Sequence, residues 1–122
     1  MILVDTSVWA DHFRDLDVEL VRSLEAGEVL AHPFVIGEIA MGNLKARAAV
    51  IEALSALPAA PVASDAEALA FVDRHALHGR GIGWIDVHLL ASARLADGAR
   101  LWTRDKRLRA AAVDLGLAGD LA

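Results

Sequence analysis

The sequence contains no cysteine, so no disulfide can staple it, a pattern that suits the cytoplasm. Aromatic residues make up only 5% while apolar residues reach 56%, so Ala, Leu and Val must fill the interior. No uncharged apolar run approaches the roughly 18 residues needed to cross a bilayer, which excludes a membrane-spanning helix. No basic segment followed by a long apolar one opens the chain, so no secretory leader is read there. Positive charge is also scarce: 12 Lys and Arg stand against 17 Asp and Glu, a net charge of −5. Phosphate contacts need cations, so this balance alone speaks against a nucleic-acid partner. Acids gathered around a divalent ion would reverse that local charge. The basic residues are also uneven, with Arg104, Lys106, Arg107 and Arg109 inside six positions, although such a run is ordinarily a solvated face.

What remains is 122 residues, one domain of ordinary size with enough chain to bury a single core. Its surplus of apolar residues hints at a buried partner surface such as a homodimer. The chain is organised around its opening, Met1-Ile2-Leu3-Val4-Asp5-Thr6-Ser7-Val8-Trp9. Four apolar residues ending in an acid and two hydroxyls read as a buried strand meeting a loop and a helix start. Asp5, Thr6 or Ser7 would serve as a cap there, and Asp5 also stands where ligand groups collect in parallel α/β sheets.

Downstream, a short helix is expected over Val8–Phe13, and Asp17 caps a second that runs through Ala26 to a stop at Gly27. Val29–His32 reads as a strand ended by Pro33, which begins a helix containing Phe34–Met41. Ala46–Leu57 reads as a helix, Pro61–Ala63 as a short strand, and Ser64 with Glu67 as a capping box opening a helix from Asp65 to about His78. After a glycine-rich loop, His78–Gly83, come a helix over Trp84–Ala96, a strand over Arg100–Thr103 and a helix over Lys106–Leu115. Strands alternating with helices predict an α/β fold with a central, mostly parallel sheet and helices on both faces.

Most of the acids fall on polar helix faces. Four do not. Glu38 lies within the apolar stretch Phe34–Met41, where burial of a lone carboxylate is costly unless it is paired or metal-bound. Asp86 follows Trp84-Ile85 at a helix start, where the macrodipole alone also favours an acid. Asp105 repeats after Leu101-Trp102-Thr103 the strand-then-acid arrangement of Asp5. Only cations make four converging carboxylates tolerable, and carboxylate oxygens suit Mg²⁺ or Mn²⁺. The histidines, His12, His32, His75, His78 and His88, show no zinc-type spacing and read as packing or surface residues. No Ser or Cys has a His at a spacing that suggests a nucleophile and its base.

Taken in order, these residues resemble the PIN-domain ribonucleases. Asp5-Thr6-Ser7 after a hydrophobic strand resembles the family's opening, and Glu38 in Val35-Ile36-Gly37-Glu38-Ile39 resembles its second acid. Gly81–Ala93, around Asp86, is similar to the third-acid helix, and Leu101-Trp102-Thr103-Arg104-Asp105 to the closing strand and fourth acid. Size and the last two motifs look most like VapC, the toxin of VapBC toxin–antitoxin modules, over nearly the whole chain. The resemblance implies a PIN-like three-layer α/β/α sandwich spanning residues 1–122. It implies an Mg²⁺- or Mn²⁺-dependent endoribonuclease, usually dimeric and inhibited by a VapB antitoxin. Asp5, Glu38, Asp86 and Asp105 carry over as catalytic, metal-binding acids, and Thr6 and Thr103 as supporting hydroxyls. Many relatives carry a further acid after the fourth, whereas Lys106-Arg107-Leu108 stands here. Arg80, Arg104, Lys106 and Arg107 are the candidates for the RNA backbone. A non-catalytic PIN-like module that binds RNA or protein is the alternative, and the intact acids argue against it.

Overall fold

The strand that opens the chain is the centre of the sheet. In the computed structural model, which describes residues 1–121, β1 (Ile2–Val4) lies between β2 (Val29–Leu30) and β3 (Arg100–Trp102), and both pairings are parallel. Ile2 pairs with Val29 on one side and Arg100 on the other, and Val4 pairs with Trp102. Leu3 and Val4 are fully buried, which explains the unbroken apolar run: a central parallel strand has no solvent face. Single parallel bridges, Ala31 to Ala59 and Leu101 to Ala118, extend the sheet at each edge.

Seven helices surround these strands among the described residues: α1 (Thr6–Arg14), α2 (Val18–Glu25), α3 (Pro33–Ala40), α4 (Arg47–Ser55), α5 (Asp65–His75), α6 (Trp84–Leu95) and α7 (Lys106–Asp114). The chain is thus the expected α/β sandwich. Helix α6 is buried without a break from Val87 to Ala93, as a helix at the core of the layers must be. Leu3, Val8, Leu20, Leu89, Leu90, Leu101, Trp102 and Leu108 form the middle of that core.

Several boundaries differ from the sequence reading. Helix α1 begins at Thr6 rather than Val8, because Asp5 is its N-cap. The second strand stops at Leu30; Ala31 keeps one bridge, and His32 turns to cap α3 by accepting the Phe34 N–H. No strand forms over Pro61–Ala63. The pairing falls earlier, with Ala31 N–H donating to Pro58 O and Ala60 N–H to Ala31 O, both at 2.8 Å. Pro61 has no N–H to give a ladder. Helix α5 ends at His75, three residues short, because Ala76 enters the left-handed region at φ 50.

The connections place the site. From the middle of the sheet the chain leaves β1 for β2 on one side, and β3 takes the other. Adjacent strands whose connections run opposite ways leave a crevice at their carboxyl ends. Asp5 N–H donates to Trp102 O at 2.9 Å, so the residues following β1 and β3 lie side by side there.

Candidate active site

Asp5, 6% exposed, is held by hydroxyls from both strand ends. Its Oδ2 accepts from Ser7 Oγ at 2.7 Å and from Thr103 Oγ1 at 2.8 Å, with a longer bond of 3.4 Å from Ser7 N–H. Each hydroxyl oxygen in turn accepts a backbone N–H, Ser7 from Arg104 at 3.0 Å and Thr103 from Asp105 at 3.1 Å. An ionised carboxylate can only accept, so both hydroxyls direct their protons at Asp5. The β3–α7 loop is thereby tied to the Asp5 side chain through two hydroxyls.

The other acids arrive from three helix starts and faces. Glu38 is exposed on α3, not buried among its apolar neighbours as the sequence pattern suggested; Val35 and Ile39 point inward instead. Thr6 Oγ1 donates to Glu38 Oε1 at 2.7 Å and joins α1 to α3. Asp86, in the first turn of α6, is half-buried and accepts the Gly83 N–H on Oδ2 at 3.0 Å. Asp105 caps α7 by accepting the Leu108 N–H on Oδ1 at 3.0 Å. Burial pushes the Asp86 carboxyl above its usual range; the Gly83 bond opposes this, and the charges of Asp5 and Asp105 add to it. Asp5 and Asp105 therefore lie within electrostatic reach of Asp86.

A common pattern runs through all four. Each anchors one carboxylate oxygen to its own scaffold, while the second has no hydrogen-bond partner among the described residues. None is paired with a cation there either. Carboxylate oxygens left without partners are the kind of donor a hard divalent ion takes. They are not drawn into a closed cage: among the described residues, no three His, Asp or Glu side chains stand close enough to grip an ion as they are.

The basic candidates divide. Arg104 donates to Asp11 at 2.9 Å and to Asp17, so its guanidinium ties the β3–α7 loop to α1 and α2. Arg80 is engaged by Asp114 at 2.8 Å. Lys106 and Arg107 are exposed and enter no ion pair among the described residues. Arg107 lies across Gly81, where an added Cβ would come 2.6 Å from a guanidinium nitrogen and where φ is +77°. Sequence reasoning missed Ser7 as a support of Asp5. The signal was there, since a hydroxyl two residues after an acid at a strand end is placed to fold back on it.

The PIN domain family matches residues 2–114. The chain belongs to the PIN domain family. It is also 50% identical over 118 residues to the protein named Ribonuclease VapC32 in two strains of Mycobacterium tuberculosis, CDC 1551 / Oshkosh and H37Rv. Those alignments cover 97% of this chain and 95% of each relative.

Proposed function

We propose that this PIN-domain protein is an endoribonuclease toxin of the VapC type, dependent on Mg²⁺ or Mn²⁺ and silenced by a VapB-type antitoxin. The observation that carries the reading is the set Asp5, Glu38, Asp86 and Asp105, each fixed through one oxygen with the other turned free of partners. A divalent ion held there would activate water and neutralise charge developing on the phosphate. The chain's own part is positional. Thr103 and Ser7 orient Asp5, Thr6 orients Glu38, and the Gly83 N–H orients Asp86. Lys106 and Arg107 are the cations at hand for the backbone of an RNA strand, and Arg80 and Arg104 reach it only by leaving their acid partners. Single-stranded RNA is the substrate class, because base edges are poorly readable in an A-form duplex.

A homodimer and a cytoplasmic site of action belong to the same reading; no helix among the described residues is long and apolar enough to cross a membrane. The test is cleavage of single-stranded RNA by purified protein with Mg²⁺, with excess EDTA, and by Asp5→Asn at matched folding. Cutting is expected only in the first. Equal cutting in EDTA removes metal dependence, and equal cutting by Asp5→Asn removes the site.

A further inference from the structure

We propose that the groove between α3 and α6 is a subsite for one nucleobase of the RNA, stacked on Trp84, and that Gly37 keeps it open. The proposal rests on the ribonuclease reading above and adds where a base is held. The groove has a volume of about 460 Å³ and is lined by Phe34, Gly37, Glu38, Met41, Trp84 and Ile85, among others. Glu38 is both a wall of this groove and one of the four acids, so whatever fills it lies against the candidate site. Trp84 and Asp86 share the first turn of α6, two residues apart.

Two features of the groove are not explained by packing within the chain. Trp84 is 42% exposed, whereas every other aromatic side chain is buried or half-buried. Its ring stands edge-on to the buried His88, with centroids 4.9 Å apart and planes at 87°. An indole packed along one edge with its surface in water is a platform for a flat ring. Gly37 sits in the interior of α3, where glycine weakens a helix relative to alanine. Its φ is not in the left-handed region, and no atom lies within 4 Å of the place a Cβ would take. Neither backbone nor packing requires glycine there. A side chain at that position would project into the groove.

The chemistry of the lining favours a base over other occupants of an RNA strand. It offers no cation for a phosphate, and Glu38 repels one. A neutral base tolerates that carboxylate and gains from the apolar walls. A strand with a phosphate at the acids carries its adjoining base toward Trp84. Met41, 88% exposed, is a flexible thioether at the rim that can cover the second face of the ring.

The experiment measures binding of short single-stranded RNA with Mg²⁺ in an Asp5→Asn background, where nothing is cut, by anisotropy and by quenching of indole fluorescence. Trp84→Ala is expected to weaken binding by about 5- to 100-fold, the range for one stacked base, and to abolish the quenching. Trp84→Phe should recover most of the affinity. Gly37→Leu should bind as weakly as Trp84→Ala while unfolding no more easily than the parent, because its side chain enters empty space. Replacing a single base by an abasic sugar should cost the parent as much as Trp84→Ala and cost that variant nothing. Unchanged affinity in Trp84→Ala and Gly37→Leu overturns the proposal. Unchanged affinity together with an altered sedimentation coefficient overturns it in favour of a protein contact. Either result leaves the ribonuclease reading standing, whereas a parent that binds no RNA together with wild-type protein that cuts none removes both.

Discussion

Asp5 accepts two hydroxyls and an N–H on a single oxygen, which leaves the other free in a fixed direction. That arrangement makes Thr103, 3% exposed, a positioning residue. Thr103→Val keeps the shape, removes the proton given to Asp5, and leaves the Asp105 N–H without its acceptor. Asp105 is exposed, so water can take the lost acceptor's place and the cost falls below the about 1–3 kcal/mol of a buried orphan, which urea denaturation will read. Outer supports of a metal site are worth about 10- to 100-fold in metal affinity, so titration calorimetry with Mn²⁺ should show weakening in that range. Unaltered Mn²⁺ affinity would confine Thr103 to a structural role.

His32 offers a second test at this scale. It is fully buried, its Nδ1 accepts the Phe34 N–H, and its Nε2 lies 3.0 Å from Ser92 Oγ. A ring that accepts at Nδ1 must carry its proton on Nε2, and a second proton would break the cap of α3. Burial, with a smaller contribution from the nearby His88, lowers its pKa from 6.5 to about 4. Below 6.5 the unfolded chain therefore binds a proton that the folded one refuses, and stability falls as pH drops from 6.5 toward 4. The loss from this group reaches at most about 3 kcal/mol. His32→Asn retains a capping side chain without the titration, so its stability curve should be flatter over that window. Parallel curves for the two proteins would rule out His32 as the source.

At the scale of elements, the ends that sequence announces are those with a chemical marker. Asp17 and Gly27 bracket α2, Ser64 and Glu67 open α5, and Asp105 and Gly116 frame α7, each through a cap or a positive φ. The acids after β1 and β3 were legible for the same reason, since an apolar run followed by Asp marks both a strand end and a helix cap. Illegible were the ends set by tertiary packing: Ala46 and Ala76 take left-handed conformations, at φ 51 and 50, that nothing in an alanine foretells. The exposure of Glu38 was hidden too, because period alone does not say which arc of so apolar a helix faces Thr6. Ala76 makes a prediction of its own. A non-glycine residue in the left-handed region is strained by about 1–2 kcal/mol, part of which glycine's greater unfolded entropy offsets. Ala76→Gly should therefore stabilise the protein by about 0.5–1 kcal/mol in thermal or urea unfolding. A loss of stability would mean that the methyl group packs more than it strains.

For the whole molecule, the net charge of −5 and the four unpaired acids meet in one consequence. Without a cation the crevice at the carboxyl ends of β1 and β3 disfavours charge on Asp86, whose pKa is raised chiefly by burial and further by the charges of Asp5 and Asp105. Because its folded pKa lies above the ordinary value, the metal-free fold loses stability as pH rises through it and carries the penalty at neutral pH. Asp86→Asn removes one of the repelling charges. In EDTA at pH 7 it should melt at or above the wild-type temperature, although it deletes a candidate catalytic acid. Mg²⁺ reverses the order. A ligand bound only by the folded state stabilises by about 2.7 kcal/mol at one hundred times its Kd, a rise of several degrees for a chain of this size. Wild type should gain that rise and Asp86→Asn little of it, so the two melting curves should cross between EDTA and Mg²⁺. Differential scanning calorimetry at a series of Mg²⁺ concentrations decides the matter. Curves that shift together, or not at all, would mean that these carboxylates do not act on one ion.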